Sequence, residues 1–282
     1  MSGYFEKAPL VYVVAKITVT ELPTLLAEQI VQLEQAMFEC DLIHKAYLNT
    51  PKIVIEQSSV REQNPVNRKC YMSSSRSESL VISDETIEWR VADYKDYSSF
   101  KTRLSTVLDK LIEVMRPWHN VRVREISLSY VDVVIPISHK LSDYFSELVS
   151  LPLTSQKSSL ETDVLQLGKL EWQRVVNERL KVEVSVEQLS KKVRKYIPDS
   201  LVEPSQQFAQ PLSLNGNIEQ CTDSHYAVLM TQTSTIPEVE TKFESLTLDI
   251  LDKVHTYDRS TFKSMINLPL CKEEWGYREF TA

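Results

Sequence analysis

The chain has 282 residues, 42% hydrophobic and 25% charged, with only four glycines, Gly3, Gly168, Gly216 and Gly276, none of them near another. Without closely spaced glycines there is no P-loop, dinucleotide fingerprint, kinase glycine-rich loop or nucleophile elbow, and the ordinary composition excludes disordered, collagen-like and mucin-like classes. Thirty-two Lys and Arg against 39 Asp and Glu leave a formal charge of -7, the wrong overall sign for a protein held on nucleic acid mainly by counterion release.

Residues 1–10 carry Glu6 and Lys7 and no apolar run of signal-peptide length, and no later stretch is long enough to span a membrane. A cytoplasmic protein with no membrane contact is expected. Residues 10–20, rich in Val and Ile, predict a buried central strand. A helix should follow, capped by Thr20 or Glu21, with Pro23 in its first turn and Leu25, Leu26, Ile30, Leu33, Met37 and Phe38 along one side. From Pro51 the period changes to two. Strands are expected near 52–57, 70–75, 80–82 and 86–91, the last pair joined as a hairpin by Ser83-Asp84-Glu85. Phe100, Leu104, Val107, Leu108, Leu111, Ile112 and Met115 have the spacing of an amphipathic helix, capped by Asp96 or Ser98 and stopped before Pro117. Residues 121–136 return as a long strand. Its apolar positions switch parity after Tyr130, which implies a bulge or burial of both faces.

After a short helix at 141–148, the Ser-, Pro- and Thr-rich stretch 150–159 is read as the boundary between halves 1–150 and 160–282. Residues 170–186 alternate as a half-exposed strand pair turning at Asn177-Glu178. Residues 187–224 are polar and irregular, with a turn at Asn215-Gly216. A strand is expected over 225–236. Pro237 then opens a final helix carrying Val239, Phe243, Leu246, Ile250 and Val254. The predicted class is α+β: two similar-sized halves, each a mostly antiparallel curved sheet backed by a long amphipathic helix, a pattern open to weak internal duplication.

Three landmarks stand out: Phe5-Glu6-Lys7-Ala8-Pro9-Leu10-Val11-Tyr12-Val13-Val14 at the start, the long strand from Leu128 to Pro136 followed by Tyr144-Phe145, and the terminal Trp275-Gly276. Together they resemble a sporadically distributed, poorly characterised bacterial protein family of similar length. Where that family carries Tyr-Ile-Asn-Arg, this chain has Tyr130-Val131-Asp132-Val133, so a polar-basic pair is missing. The resemblance implies a bacterial origin and an accessory, patchily inherited role, and it brings no catalytic residue with it.

The residues themselves offer little local chemistry. Five histidines (His44, His119, His139, His225, His255) and four cysteines (Cys40, Cys70, Cys221, Cys271) show no zincin or Cys-x-x-Cys spacing, so no metal and no cofactor are expected and the cysteines read as free thiols in a reducing compartment. Adjacent acids at Asp84-Glu85, Glu161 to Asp163 and Glu273-Glu274 read as solvated turns, and the serine runs as strand ends and helix caps. No catalytic residue is assigned. The one basic cluster, Lys191, Lys192, Arg194 and Lys195 followed by Tyr196, suits either a phosphate backbone with a stacked base or an acidic protein partner. Trp275, near Tyr277 and Phe280, either docks back on the domain or joins a partner interface. The expected function is binding rather than catalysis: a sensor, adaptor or regulatory subunit of a bacterial accessory system, such as one directed against mobile elements or phage, with a protein partner. The alternatives are a nucleic-acid-binding protein using the basic cluster and an enzyme whose site assembles only in three dimensions.

Overall fold

The fold was obtained as a computed structural model, which describes residues 3–56, 59–115, 118, 120–151, 167–203, 205–214, 216–238 and 240–279. The elements in chain order are β1 (Gly3–Phe5), β2 (Leu10–Val19), α1 (Ala27–Glu39), β3 (His44–Glu56), β4 (Ser59–Met72), β5 (Glu78–Ile82), β6 (Thr86–Val91), α2 (Tyr97–Val114), β7 (Arg122–Val134), β8 (Leu167–Val175), β9 (Leu180–Ser190), β10 (His225–Thr235), β11 (Thr241–Lys242), α3 (Asp249–Met265), α4 (Leu268–Glu274) and β12 (Tyr277–Glu279). The class is mixed α+β. Strands on both sides of the 150–159 stretch join one antiparallel sheet, in the order β3-β4-β5-β6-β2-β7-β10-β9-β8 with β11 at the end of β7, rather than two separate sheets. The join is the β7–β10 pair, in which Tyr130 faces Thr231 and Asp132 faces Leu229. Residues 152–166, which contain most of the expected boundary, lie outside the described residues.

Alternation along the central strands sends side chains to two different cores. On one face Val13, Ala15 and Ile17 of β2 and Ile126 and Leu128 of β7 pack with Leu104, Val107, Leu108 and Leu111 of α2 and with Leu33 and Met37 of α1. Each such fully buried aliphatic side chain stabilises the fold by roughly 1.5–3 kcal/mol. The same face continues over β9 and β10, where Val184, Val186, Ala227 and Leu229 pack against Tyr144, Met265 and Trp275. On the other face Tyr12, Val14, Val131, Val133, Tyr226 and Val228 are covered by the irregular segment that leaves β9 and returns at β10, through Ile218 and Cys221. β7 is therefore buried on both sides from Ile126 onward, and its pairing with β2 is interrupted twice, by an extra residue in β2 between Leu10 and Tyr12 and by one in β7 between Val123 and Glu125.

That irregular segment is a strap across the sheet. Phe208 is buried among Ala46, Cys70, Met72 and Val81, and the Glu203 carboxylate accepts from Arg68 at 2.6 and 2.7 Å and also from Arg90. Burial pushes the Glu203 carboxyl up, but the two guanidiniums outweigh it and hold it below the usual range.

Several elements depart from the sequence reading. The first helix starts at Ala27, because residues 21–26 run extended, with Leu22 N–H donating to the Asp84 carbonyl at 2.7 Å and Leu26 N–H to Gln29 Oε1 at 2.8 Å. Phe38 is 62% exposed, being one step round the helix from buried Met37. Pro237 does not open the last helix: Thr241 and Lys242 pair with Val123 and Arg122, Phe243 is buried with its N–H on the Val121 carbonyl at 2.9 Å, and α3 begins only at Asp249. Val239 lies outside the described residues. The expected helix at 141–148 is a single 3-10 turn, Leu141–Tyr144. By contrast α2 has its expected cap, Asp96 accepting from Ser99 N–H at 2.8 Å, and the β8–β9 turn is closed by Asn177 Oδ1 accepting from the N–H groups of Arg179 and Leu180, both at 2.9 Å.

Candidate functional site

Where the cluster under α2 gives way to the one near Trp275, the helix face of the sheet holds a cavity of about 170 Å³. Its floor is Tyr130 and Asp132 of β7 with Thr231 of β10. Its roof is one face of α3, and Tyr94, Leu10, Phe5 and Tyr277 complete the walls. The local geometry follows from two periodicities. Residues 130 and 132 share a face because a strand alternates, and Thr231 sits directly opposite Tyr130 in register. His255, Asp258, Arg259 and Phe262 line the cavity because spacings of three and four recur on one side of a helix.

Asp132 is the unusual group. It is 4% exposed, its cross-strand neighbours are Leu10 and Leu229, and its carboxyl makes no hydrogen bond or ion pair with the described residues. Burial pushes it up to about 8, so it is largely protonated at neutral pH. Asp258 is fully buried. Its Oδ1 accepts from Thr233 Oγ1 at 3.2 Å, whereas its Oδ2 and the nearby Thr231 hydroxyl make no hydrogen bond of normal geometry among the described residues. Burial raises its carboxyl well above the carboxylate range, against the pull of the Thr231 and Thr233 hydroxyls and with a further rise from Asp132. His255 Nδ1 lies 2.7 Å from the Tyr130 hydroxyl, and its ring stacks on Tyr97 at 3.9 Å and 3°. Burial, with Arg259 adding to it, lowers His255 to about 4, leaving a neutral imidazole at pH 7. Lys263, at the same cavity, makes no ion pair with the described residues, and burial together with Arg259 and Lys272 lowers its ammonium.

The arrangement thus offers neutral acid groups and an unpaired hydroxyl on the inside, aromatic walls, and two basic side chains. Neither acid is hydrogen-bonded to a nucleophile that opens on the cavity, since the Thr233 hydroxyl belongs to a residue with no exposed surface. A relay of nucleophile, base and orienting group is not formed among the described residues.

The residues singled out from sequence lie elsewhere. Lys195 Nζ pairs with Glu187 at 2.6 Å and Asp199 at 3.0 Å, and Arg194 with Glu219 at 3.3 Å. Lys191 and Lys192 are exposed at the start of the strap. Tyr196 turns inward against Tyr226, ring centroids 6.2 Å apart. Trp275 is 8% exposed and docks back on the domain, stacked on Tyr144 and on Phe262 and edge-on to Phe5. The basic cluster and Trp275 belong to opposite faces of the sheet, but Trp275 supports the cavity through Phe262 and Phe5, which line it. The cavity residues carried one sequence signal, an isolated acid at position 132 inside an apolar strand. Asp258, His255 and Lys263 sit in a polar run that gives none.

Among the described residues no helix is long and apolar enough to cross a membrane, and no three His, Cys, Asp or Glu side chains are grouped to hold a metal ion. Compared with known proteins, the chain matches no protein-family model and no curated protein.

Proposed function

We propose that this chain is a non-enzymatic binding protein, a sensor or regulatory subunit, whose ligand is a small molecule taken into the cavity beneath α3. The observation that carries this reading is the unpartnered Asp132 carboxyl at the cavity floor. A buried acid without a hydrogen bond costs stability, and such groups concentrate at sites that use them. The volume suits a molecule of about one ring, since an apolar protein cavity of roughly 150 Å³ already admits benzene. Service to a protein partner in a bacterial accessory system rests on the resemblance of the opening Phe5 to Val14 segment. The nucleic-acid reading has less support, because Arg194 and Lys195 are already engaged by acids of the same chain.

The topology also supports an internal duplication, with its break before β7. β2 is followed by α1 and a meander whose last strand, β6, returns beside it, and then by α2; β7 is followed by a 3-10 turn and by β8, β9 and β10, the last returning beside β7, and then by β11 and α3.

A thermal-unfolding screen against primary amines, carboxylic acids, amino acids and neutral aromatics tests the function. At least one class should raise the melting temperature of the wild type and leave Asp132→Leu unmoved. Stabilisation of neither protein by any class, or of both equally, contradicts a ligand site at Asp132.

A further inference from the structure

Acidic and basic side chains line one cavity without neutralising each other. Asp132 and Asp258 form no ion pair with the described residues, and Lys263, partly withdrawn from water, forms none either. With no cation facing them the two acids keep their protons, because an unpaired ion would carry its desolvation cost alone; an ammonium brought by a ligand supplies that cation and lets them release those protons to solvent. Here the floor presents acceptor oxygens on Asp132 and on the Thr231 hydroxyl, the roof adds Asp258 Oδ2, and the same helix supplies Arg259 next to Asp258 and Lys263 just over one turn further on. What would satisfy both sets at once is a ligand bearing both charges. The ring of Phe262, stacked on Trp275, and that of Tyr130 supply flat apolar surface between them.

We infer that the cavity binds a small zwitterion with an apolar or aromatic body, its ammonium held by Asp132 and Asp258 and its carboxylate by Lys263. This rests on the reading of the cavity as a ligand site. It fixes the ligand class as amino-acid-like, and excludes plain amines, plain acids and neutral rings as preferred ligands. Each charged contact made in so enclosed a place is expected to change affinity by about tenfold or more.

Calorimetric titration with four probes separates the two levels. Phenylalanine should bind more tightly than either phenethylamine or 3-phenylpropionate, each of which lacks one charge. Asp132→Asn should abolish the advantage of phenylalanine over 3-phenylpropionate, and Lys263→Gln its advantage over phenethylamine. Both variants remove an unpaired group and should remain folded, which their unfolding curves check. Indole, the fourth probe, carries no charge. If a singly charged probe or indole binds as well as phenylalanine, and Asp132→Asn weakens it, the zwitterion inference fails while the cavity remains a ligand site. If no probe binds, or all bind wild type and variants alike, both fail.

Discussion

A carboxyl that sits near 8 in the folded chain and near 3.9 in the unfolded one makes stability depend on pH in a defined direction. Between those values the folded state keeps a proton that the unfolded state has lost, so the contribution of Asp132 is complete at low pH and is lost as pH rises toward 8. Asp258 acts in the same direction. His255 acts oppositely. Held down to about 4, it leaves the unfolded state to take up a proton below about 6.5, and stability falls as pH falls through that window. The acids are therefore best read above the histidine window. Between about pH 6.5 and 8 the wild type should lose stability, and Asp132→Asn should lose up to about 2 kcal/mol less, at roughly 1.4 kcal/mol per pH unit. Urea unfolding across that range measures it. Parallel curves for the two proteins would mean that Asp132 is ionised and solvated, and the neutral-acid description of the floor would be wrong.

The strap is held to the sheet by apolar packing and by one buried charge cluster. Glu203 neutralises both Arg68 and Arg90 on the strands beneath it, and Arg90 is further held by Glu88. Glu203→Gln leaves two guanidiniums short of a charge in a place with little water. It should cost on the order of 3 kcal/mol in urea unfolding and speed proteolytic cutting between residues 191 and 224, whereas an exposed pair would change stability by less than about 1 kcal/mol. Unchanged stability and unchanged cutting would show the strap to be held elsewhere. How legible an element was in the sequence follows from where its determinants lie. α2 was legible because its apolar spacing and its Asp96 cap are local. The start of α3 was not, because Phe243 and Leu246 have helical spacing while the backbone around them is spent on pairing with β7 and on a 3-10 turn. The strap looked like a solvated loop because Phe208, Ile218 and Cys221 are scattered among polar residues. The cavity was hidden for a related reason. Asp132 and Asp258 are remote in the chain, and only the packing of α3 on β7 and β10 unites them.

In the whole molecule the long sheet has two different coverings. The strap closes one face; helices close the other, except where the clusters under α2 and around Trp275 meet. Two conventional cores packed side by side leave a seam, and this seam falls over the middle strands, where β7 is buried on both sides and any polar group must be satisfied from within. Asp132 is set at that point, and among the described residues nothing satisfies it. With a formal charge of -7 and with Arg194 and Lys195 paired to acids of the same chain, the basic cluster is a weaker lead than the cavity. The molecule's most specific feature is internal. Native mass spectrometry after incubation with a cellular small-molecule extract tests this most directly, with wild type and Asp132→Leu compared in the same preparation. A discrete small-molecule adduct on the wild type, absent from Asp132→Leu, is the predicted result; no adduct on either protein, or the same adduct on both, would contradict it.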